Sequence, residues 1–356
     1  MLKSGNDAFQ SFPFSSEQAR ARLRSHRSQP GPDTASRGDP LEQETRTMSA
    51  HGIHHVTAFA SDTARTIDFY TRVLGLRLVK KTVNFDDPGT YHLYFGDEAG
   101  APGTILTFFP IAQAAPGRVG IGQVSETAFR VPRASIGEWT HRFVSLNVPH
   151  EAPVTVFGET VLRFRDPDGM PLALIGVEGA EAEPAWTSEG IAPDHAIRGF
   201  HGVTLLLRGA EATAAILTDV LGFAEAAREG SQIRLTSGAG LGGFVTLRAV
   251  GDFLPGRQGA GSVHHIAFRA ADDAAQAAMT ERLTDRHGLS VTEQRDRQYF
   301  RSVYFREPGG VLFEIATDAP GFAIDEPVAE LGTTLKLPPF LEPHRGRIEA
   351  VLPKVA

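Results

Sequence analysis

Ile53-His54-His55-Val56-Thr57 and Phe200-His201-Gly202-Val203-Thr204 are two versions of one segment, and their recurrence decides the fold before any catalytic motif is weighed. Each leads into a stretch with helical spacing, and each stretch closes on a similar signal, Val73-Leu74-Gly75-Leu76 or Val220-Leu221-Gly222-Phe223. The interval from His54 to Gly75 equals that from His201 to Gly222. A glycine there suits a helix C′ residue at positive φ, and Ser61 or Asp62 offers the N-cap of the first helix. A second match closes the units: Phe164-Arg165-Asp166-Pro167-Asp168-Gly169 against Phe305-Arg306-Glu307-Pro308-Gly309-Gly310, each a strand, a tight turn and a strand.

Working outward, starts near residues 53, 124, 200 and 263 and closing strands near 104–110, 171–177, 243–249 and 311–317 give four βαβββ units. The expected organisation is a disordered extension over 1–50, unit one over 51–120, unit two over 121–180, unit three over 197–252, unit four over 260–320 and a C-terminal tail over 321–356. A small sheet with one helix covers only one face, so two units must pair and leave a concave trough on the other. The predicted fold class is α+β, with the four units pairing into two domains.

Composition narrows the function. With 41% hydrophobic and 22% charged residues the chain of 356 buries real cores. A net charge of -7 with scattered Lys and Arg argues against nucleic acid and against an anionic membrane surface as partners. Cysteine is absent, which removes disulfides, thiolate metal sites and cysteine nucleophiles, so any metal must use His, Asp or Glu. No apolar run reaches spanning length, and a cytoplasmic protein is the default expectation. Residues 1–50 carry clustered Arg20, Arg22, Arg24 and Arg27, but Asp33, Asp39, Glu42 and Glu44 follow, which argues against a transit peptide. Met48 precedes the first ordered-looking segment, so a start of translation there is an alternative.

Consecutive strand residues point to opposite faces. In His54-His55 and His264-His265 only one histidine of each pair can therefore face the trough. Val56 shares a face with His54, and Ile266 and Phe268 share one with His264; those bulky residues belong under the helix. The trough receives His55 and His265, with His54 and His264 behind or beside them. In Val311-Leu312-Phe313-Glu314-Ile315-Ala316 a carboxylate sits inside an apolar run, where it needs a cation or a proton. The corresponding positions elsewhere are Ala173, Thr107 and about Thr246 or Leu247; those of the ligand histidines are Gly202 and Ser125 or Glu126. Taken singly, each His reads as a hydrogen-bonded core residue and Glu314 as the partner of an Arg. Together, two imidazoles and one carboxylate match the facial triad of non-haem Fe(II) oxygenases. Ligands from units one and four require those units to share one trough, leaving units two and three to pair as a metal-free domain.

The segments Gly52-Ile53-His54-His55-Val56-Thr57, Val263-His264-His265-Ile266-Ala267-Phe268 and Tyr304-Phe305-Arg306-Glu307-Pro308-Gly309-Gly310-Val311-Leu312-Phe313-Glu314-Ile315-Ala316-Thr317-Asp318 resemble the ring-cleaving dioxygenases of the vicinal-oxygen-chelate superfamily. More narrowly they resemble its hydroquinone-type branch. The likeness covers residues 51 to about 350, including Leu335-Lys336-Leu337-Pro338-Pro339-Phe340-Leu341-Glu342-Pro343. The His-His-Val-Thr piece is weakly specific and the Glu314 segment strongly so. The resemblance implies Fe(II), with Mn(II) as the other metal, held by His55, His265 and Glu314. It also implies roles around the substrate for His54, Thr57, His264, Arg297 and Tyr304. The implied partners are a small aromatic diol and O2, with a homo-oligomer left open.

Three competing readings remain: an extradiol catechol dioxygenase, a glyoxalase-like lyase or isomerase, and a metal-free binding protein of the same fold. Thr107 stands where the second would want another acid. Among other histidines, His92 alternates with aromatics and is a candidate for lining the pocket, His201 reads as structural, and His141, His150 and His287 as solvated.

Overall fold

The structure, a computed structural model, describes residues 52–354; the extension expected over 1–50 lies outside the described residues. Unit one contains β1 (Ile53–Ala60), α1 (Thr63–Asp68) running into a π turn at Phe69–Val73, β2 (Arg77–Asn84), β3 (Asp87–Gly96) and β4 (Ile105–Pro110). Unit two follows with β5 (Gln123–Pro132), α2 (Ile136–Ser145), β6 (Val154–Val156), β7 (Glu159–Arg165) and β8 (Pro171–Val177). Unit three contains β9 (Phe200–Leu207), α3 (Glu211–Asp219), β10 (Ala224–Glu229), β11 (Gln232–Thr236) and β12 (Phe244–Ala249). Unit four contains β13 (Val263–Ala270), α4 (Asp273–Asp285), β14 (Arg295–Asp296), β15 (Arg301–Arg306) and β16 (Leu312–Thr317), and α5 (Arg345–Val351) comes near the end. Among the described residues no helix is long and apolar enough to cross a membrane.

Local chemistry sets the helix boundaries. The Asp62 carboxylate accepts from Arg65 N at 2.7 Å and starts α1, and Asp272 does the same for α4 through Ala275 N at 2.8 Å. Gly75 and Gly222 take φ of 74° and 69°, which releases the chain from each helix into its next strand. The inner face of the first helix lays Tyr70 on the sheet, its ring 4.6 Å from Phe108 and 5.4 Å from Phe95.

The strands form two eight-stranded sheets. One runs β14-β15-β16-β13-β1-β4-β3-β2 and the other β10-β11-β12-β9-β5-β8-β7-β6. The first sheet therefore joins the two ends of the chain, and the second joins its middle. At each centre lies an antiparallel pair, β1 with β13 or β5 with β9, flanked by parallel neighbours. Equivalent positions follow from register. Ala267 pairs with Glu314, Thr57 with Thr107, Thr204 with Thr246 and Ala128 with Ala173, so Thr246 rather than Leu247 is the counterpart of the acid. His265 corresponds to Glu126 and His55 to Gly202 by the same register. A Cβ at Gly202 would stand 2.2 Å from Phe244 O, so that strand pair has closed down on the position a ligand would need.

The C-terminal segment is more than a tail. Lys80 of β2, fully buried, donates to Asp325 Oδ1 at 2.6 Å and to Glu326 Oε2 at 2.5 Å. Lys336 N then donates to Lys81 O at 2.9 Å, adding backbone pairing along the sheet edge. Burying Lys80 in this way requires both acids, since a lone ammonium there would carry a desolvation cost of several kcal/mol.

Candidate metal centre

Two β-bulges shape the site. In the pairing of β1 with β13 the register shifts once between Ile53 and His55, and once between Thr57 and Ala58 where His264 is skipped opposite. Each bulge falls on the first histidine of a pair and re-aims it. Strict alternation would send His54 and His264 under the helices. Instead each lies beside its neighbour, His54 Nδ1 2.9 Å from His55 Nδ1 and His264 Nδ1 2.8 Å from His265 Nδ1.

These contacts accommodate one arrangement of tautomers that frees both ligand rings. If His55 and His265 each donate their Nδ1–H to the preceding ring, both Nε2 lone pairs are free on the trough side. The two Nε2 atoms lie 3.3 Å apart, and Glu314 Oε2 lies 2.9 Å from that of His265 and 3.4 Å from that of His55. Glu314 Oε1 accepts from the Ser302 hydroxyl, whereas Oε2, fully buried, has no hydrogen-bond partner. Three acceptors thus converge with no proton to share. Adjacent ligands about 2.1 Å from a common centre, at right angles, are separated by about 3.0 Å, close to these three edges. The donor set fits a divalent ion that binds nitrogen and oxygen.

Electrostatics agree with that reading. Burial lowers His265 below its usual value against the pull of Glu314, keeping it neutral as a ligand must be. Burial, assisted by His265, brings His264 down to about 3, and His54 is likewise held well below its ordinary range by burial and by His55. For Glu314 burial acts upward, and positive charge on the His55 and His265 rings pulls the carboxyl well below the usual carboxylate range; with both rings neutral, that charge would have to come from a bound cation.

Around the triad stand the other residues singled out in the sequence. Tyr304 pairs with Glu314 across β15 and β16, and its ring lies 5.8 Å from that of His265. Its hydroxyl accepts from Arg297 Nε at 3.2 Å, and Arg297 Nη2 reaches Asp86 at 3.0 Å, so Arg297 is not a surface charge. Burial first, then Glu314, pushes the Tyr304 hydroxyl above its ordinary value, so it remains a donor. Thr57 lies opposite His265 and bonds to Thr107. Phe300, which the sequence did not single out, lays its ring 4.9 Å from His55 and 5.2 Å from His54. Ser302 was missed as well, although its place two residues before Tyr304 on one strand face is a readable signal. His287, expected in solvent, instead binds Asp219 at 2.9 Å and links α3 with α4.

The second trough contains different chemistry. Over it lies a cavity of about 550 Å³ lined by Ser125, Glu126 and Arg163, the counterparts of His264, His265 and Tyr304. Arg163 and Glu126 are 2.6 Å apart, an ion pair where the first sheet has a ligand and a tyrosine.

The model of the Glyoxalase/Bleomycin resistance protein/Dioxygenase superfamily matches residues 52–174 and 199–315. MhqO of Bacillus subtilis, named as a ring-cleaving dioxygenase, is 48% identical over 84% of this chain and 94% of its own. A chlorohydroquinone/hydroquinone 1,2-dioxygenase of Sphingobium indicum is 35% identical over 82% of this chain and 92% of its own. The crystal structure of a Bacillus subtilis protein named as a dioxygenase superposes with a TM-score of 0.83 at 46% identity, covering 86% of this chain and 98% of that one.

Proposed function

The chain belongs to the Glyoxalase/Bleomycin resistance protein/Dioxygenase superfamily, among its ring-cleaving dioxygenases, and from that premise we propose that it uses Fe(II) to open the ring of a hydroquinone with O2. His55, His265 and Glu314 are the proposed ligands, and the unpartnered Oε2 of Glu314 between two inward-facing Nε2 atoms is the observation that carries the reading. Bound there, the iron supplies one-electron chemistry that lets an aromatic ring react with triplet O2.

The remaining work falls to side chains. His54 and His264 hold the ligand rings in the productive tautomer through their Nδ1 atoms. Tyr304 presents a phenol whose oxygen is pinned by Arg297, so its proton can be given to an oxygen that gains charge on the ring or on O2. Such positioned acid–base groups contribute roughly 10²–10⁴-fold. Phe59 and Phe109 face the His264 ring at 5.1 and 6.0 Å and, with Phe300, wall the trough against water. A hydroquinone coordinates through one oxygen, so protein groups must orient its far end. His264 and Arg297, both at the trough and neither needed as ligands, suit that task, and the relative from Sphingobium indicum is named for this substrate class.

Anaerobic loading with Fe(II) or Mn(II), followed by O2 uptake with hydroquinone, methylhydroquinone and catechol side by side, tests the proposal. Uptake with the para-diols on the Fe(II) protein is the expected result. Faster uptake with catechol overturns the substrate assignment, and activity confined to the Mn(II) protein overturns the metal.

A further inference from the structure

Behind Thr57 runs a line of polar side chains that none of the metal ligands requires. Thr107 Oγ1 donates to Thr57 Oγ1 at 2.8 Å, His92 Nε2 lies 2.9 Å from Thr107 Oγ1, and the Tyr94 hydroxyl lies 2.8 Å from His92 Nδ1. Thr57 and Thr107 are fully buried and Tyr94 almost so. All three bonds in this chain of groups join neutral side chains in an apolar sheet, where methyl groups of the same size would pack as well.

We propose that Thr57, Thr107 and His92 form a proton conduit that carries the proton lost by the substrate hydroxyl from the metal trough to the His92 ring. The inference rests on the diol reading above. Three observations support it. Thr57 shares a strand face with His55 and stands opposite His265, which puts it on the face of the sheet that carries the triad. Each threonine hydroxyl can donate and accept at once, and imidazole can take a proton on one nitrogen while giving the other to a partner. The arrangement is also confined to the sheet with the triad: in the second sheet the counterparts Thr204 and Thr246 have Gln232 at the position of His92. In unit four the counterparts of Thr107 and His92 are Glu314 and Ser302 themselves, so unit one has turned a ligand-holding pair into a relay.

The step balances without any oxidant. With Thr107 donating to Thr57 the line has the order it takes after transfer; before transfer both threonine rotors are turned the other way, so that Thr57 donates to Thr107 and Thr107 to His92 Nε2. The substrate O–H bond then breaks and its proton goes to Thr57 Oγ1. The proton of Thr57 passes to Thr107 Oγ1, and that of Thr107 to His92 Nε2. The products are a phenolate and an imidazolium whose Nδ1–H is donated to the Tyr94 oxygen. The hydroxyl rotors reverse to reset the chain.

The test reads the bound diol without turnover. Hydroquinone is added anaerobically to the Fe(II)-loaded protein at neutral pH, and the ultraviolet difference spectrum is recorded, since the deprotonated ring absorbs at longer wavelength than the neutral one. Thr107→Val keeps the shape and breaks the line, His92→Phe keeps the stack on Phe109, and Thr107→Ser keeps the hydroxyl. The first two are expected to reduce the red-shifted band about 10-fold or more at unchanged iron content, with hydroquinone still bound by calorimetry, while Thr107→Ser retains it. Bands in Thr107→Val and His92→Phe equal to that of the unmodified protein overturn the conduit alone. An unmodified protein that neither binds hydroquinone nor shifts its spectrum overturns the diol reading and the conduit with it.

Discussion

Glu314 Oε2 lies 2.9 Å from His265 Nε2, on the strand parallel and adjacent to it, and 3.4 Å from His55 Nε2, which comes from the far end of the sequence. The contact is maintained by strand register rather than by any local motif. A cation at the point these atoms share would turn three competing acceptors into a satisfied set.

His265→Ala and Glu314→Ala are therefore each expected to leave purified protein with less than about a tenth of the iron bound by the parent, at an unchanged circular dichroism spectrum. Elemental analysis after Fe(II) loading decides it, and full occupancy in either variant refutes the triad.

His54→Phe retains the ring packed on Phe300 but removes the Nδ1 acceptor that fixes the His55 tautomer. Its iron affinity, measured by competition with a chelator, should fall roughly 10–100-fold while the fold survives. Unchanged affinity would mean that the bulge at His54 serves packing alone.

Lys80→Met leaves Asp325 and Glu326 facing each other without their cation. Removing one partner of a buried pair costs about 3–5 kcal/mol, so the urea midpoint should drop sharply. Adding Asp325→Asn and Glu326→Gln to the same chain should recover most of the loss. If the single variant unfolds at the parent's midpoint, the latch contributes nothing.

Asp166 provides a pH test. Burial lifts its carboxyl from 3.8 to about 6, even though Asp168 N, Met170 N and the Tyr70 hydroxyl donate to it. The folded state thus binds this proton more tightly than the unfolded chain. The stability this group contributes falls as pH rises from 3.8 to about 6, then levels off. Asp166→Asn offers the same hydrogen-bond pattern as the protonated acid at every pH. Relative to the parent it should gain on the order of 2–3 kcal/mol between pH 4 and 7 by urea unfolding. A difference that is flat with pH rules this out.

Much of the architecture is written in local signals. The repeated strand, helix and glycine stop marked the unit starts within a residue of β1, β5, β9 and β13, and the two glycine turns placed the closing strands. The inward face of His55, His265 and Glu314 followed from strand alternation, because period two is a property of the backbone itself. Alternation left His54 and His264 either behind or beside these residues, and it did not decide between the two, because a bulge inserts a residue only where two particular strands pair, and that pairing joins residues 53–60 to residues 263–270. The roles of Ser302, Phe300 and the Thr57–Thr107–His92 line were hidden for the same reason: each depends on which strand lies alongside. Sequence by itself determined the units and the residue types capable of holding a metal, since helix caps, turns and alternation are short-range. The placement of the candidate ligands already called for the first and fourth units to share a trough. Only the tertiary structure decided the register in which β1 and β13 pair and that Glu314 keeps one oxygen unpartnered, because distances between remote strands are set by the packing of the whole sheet.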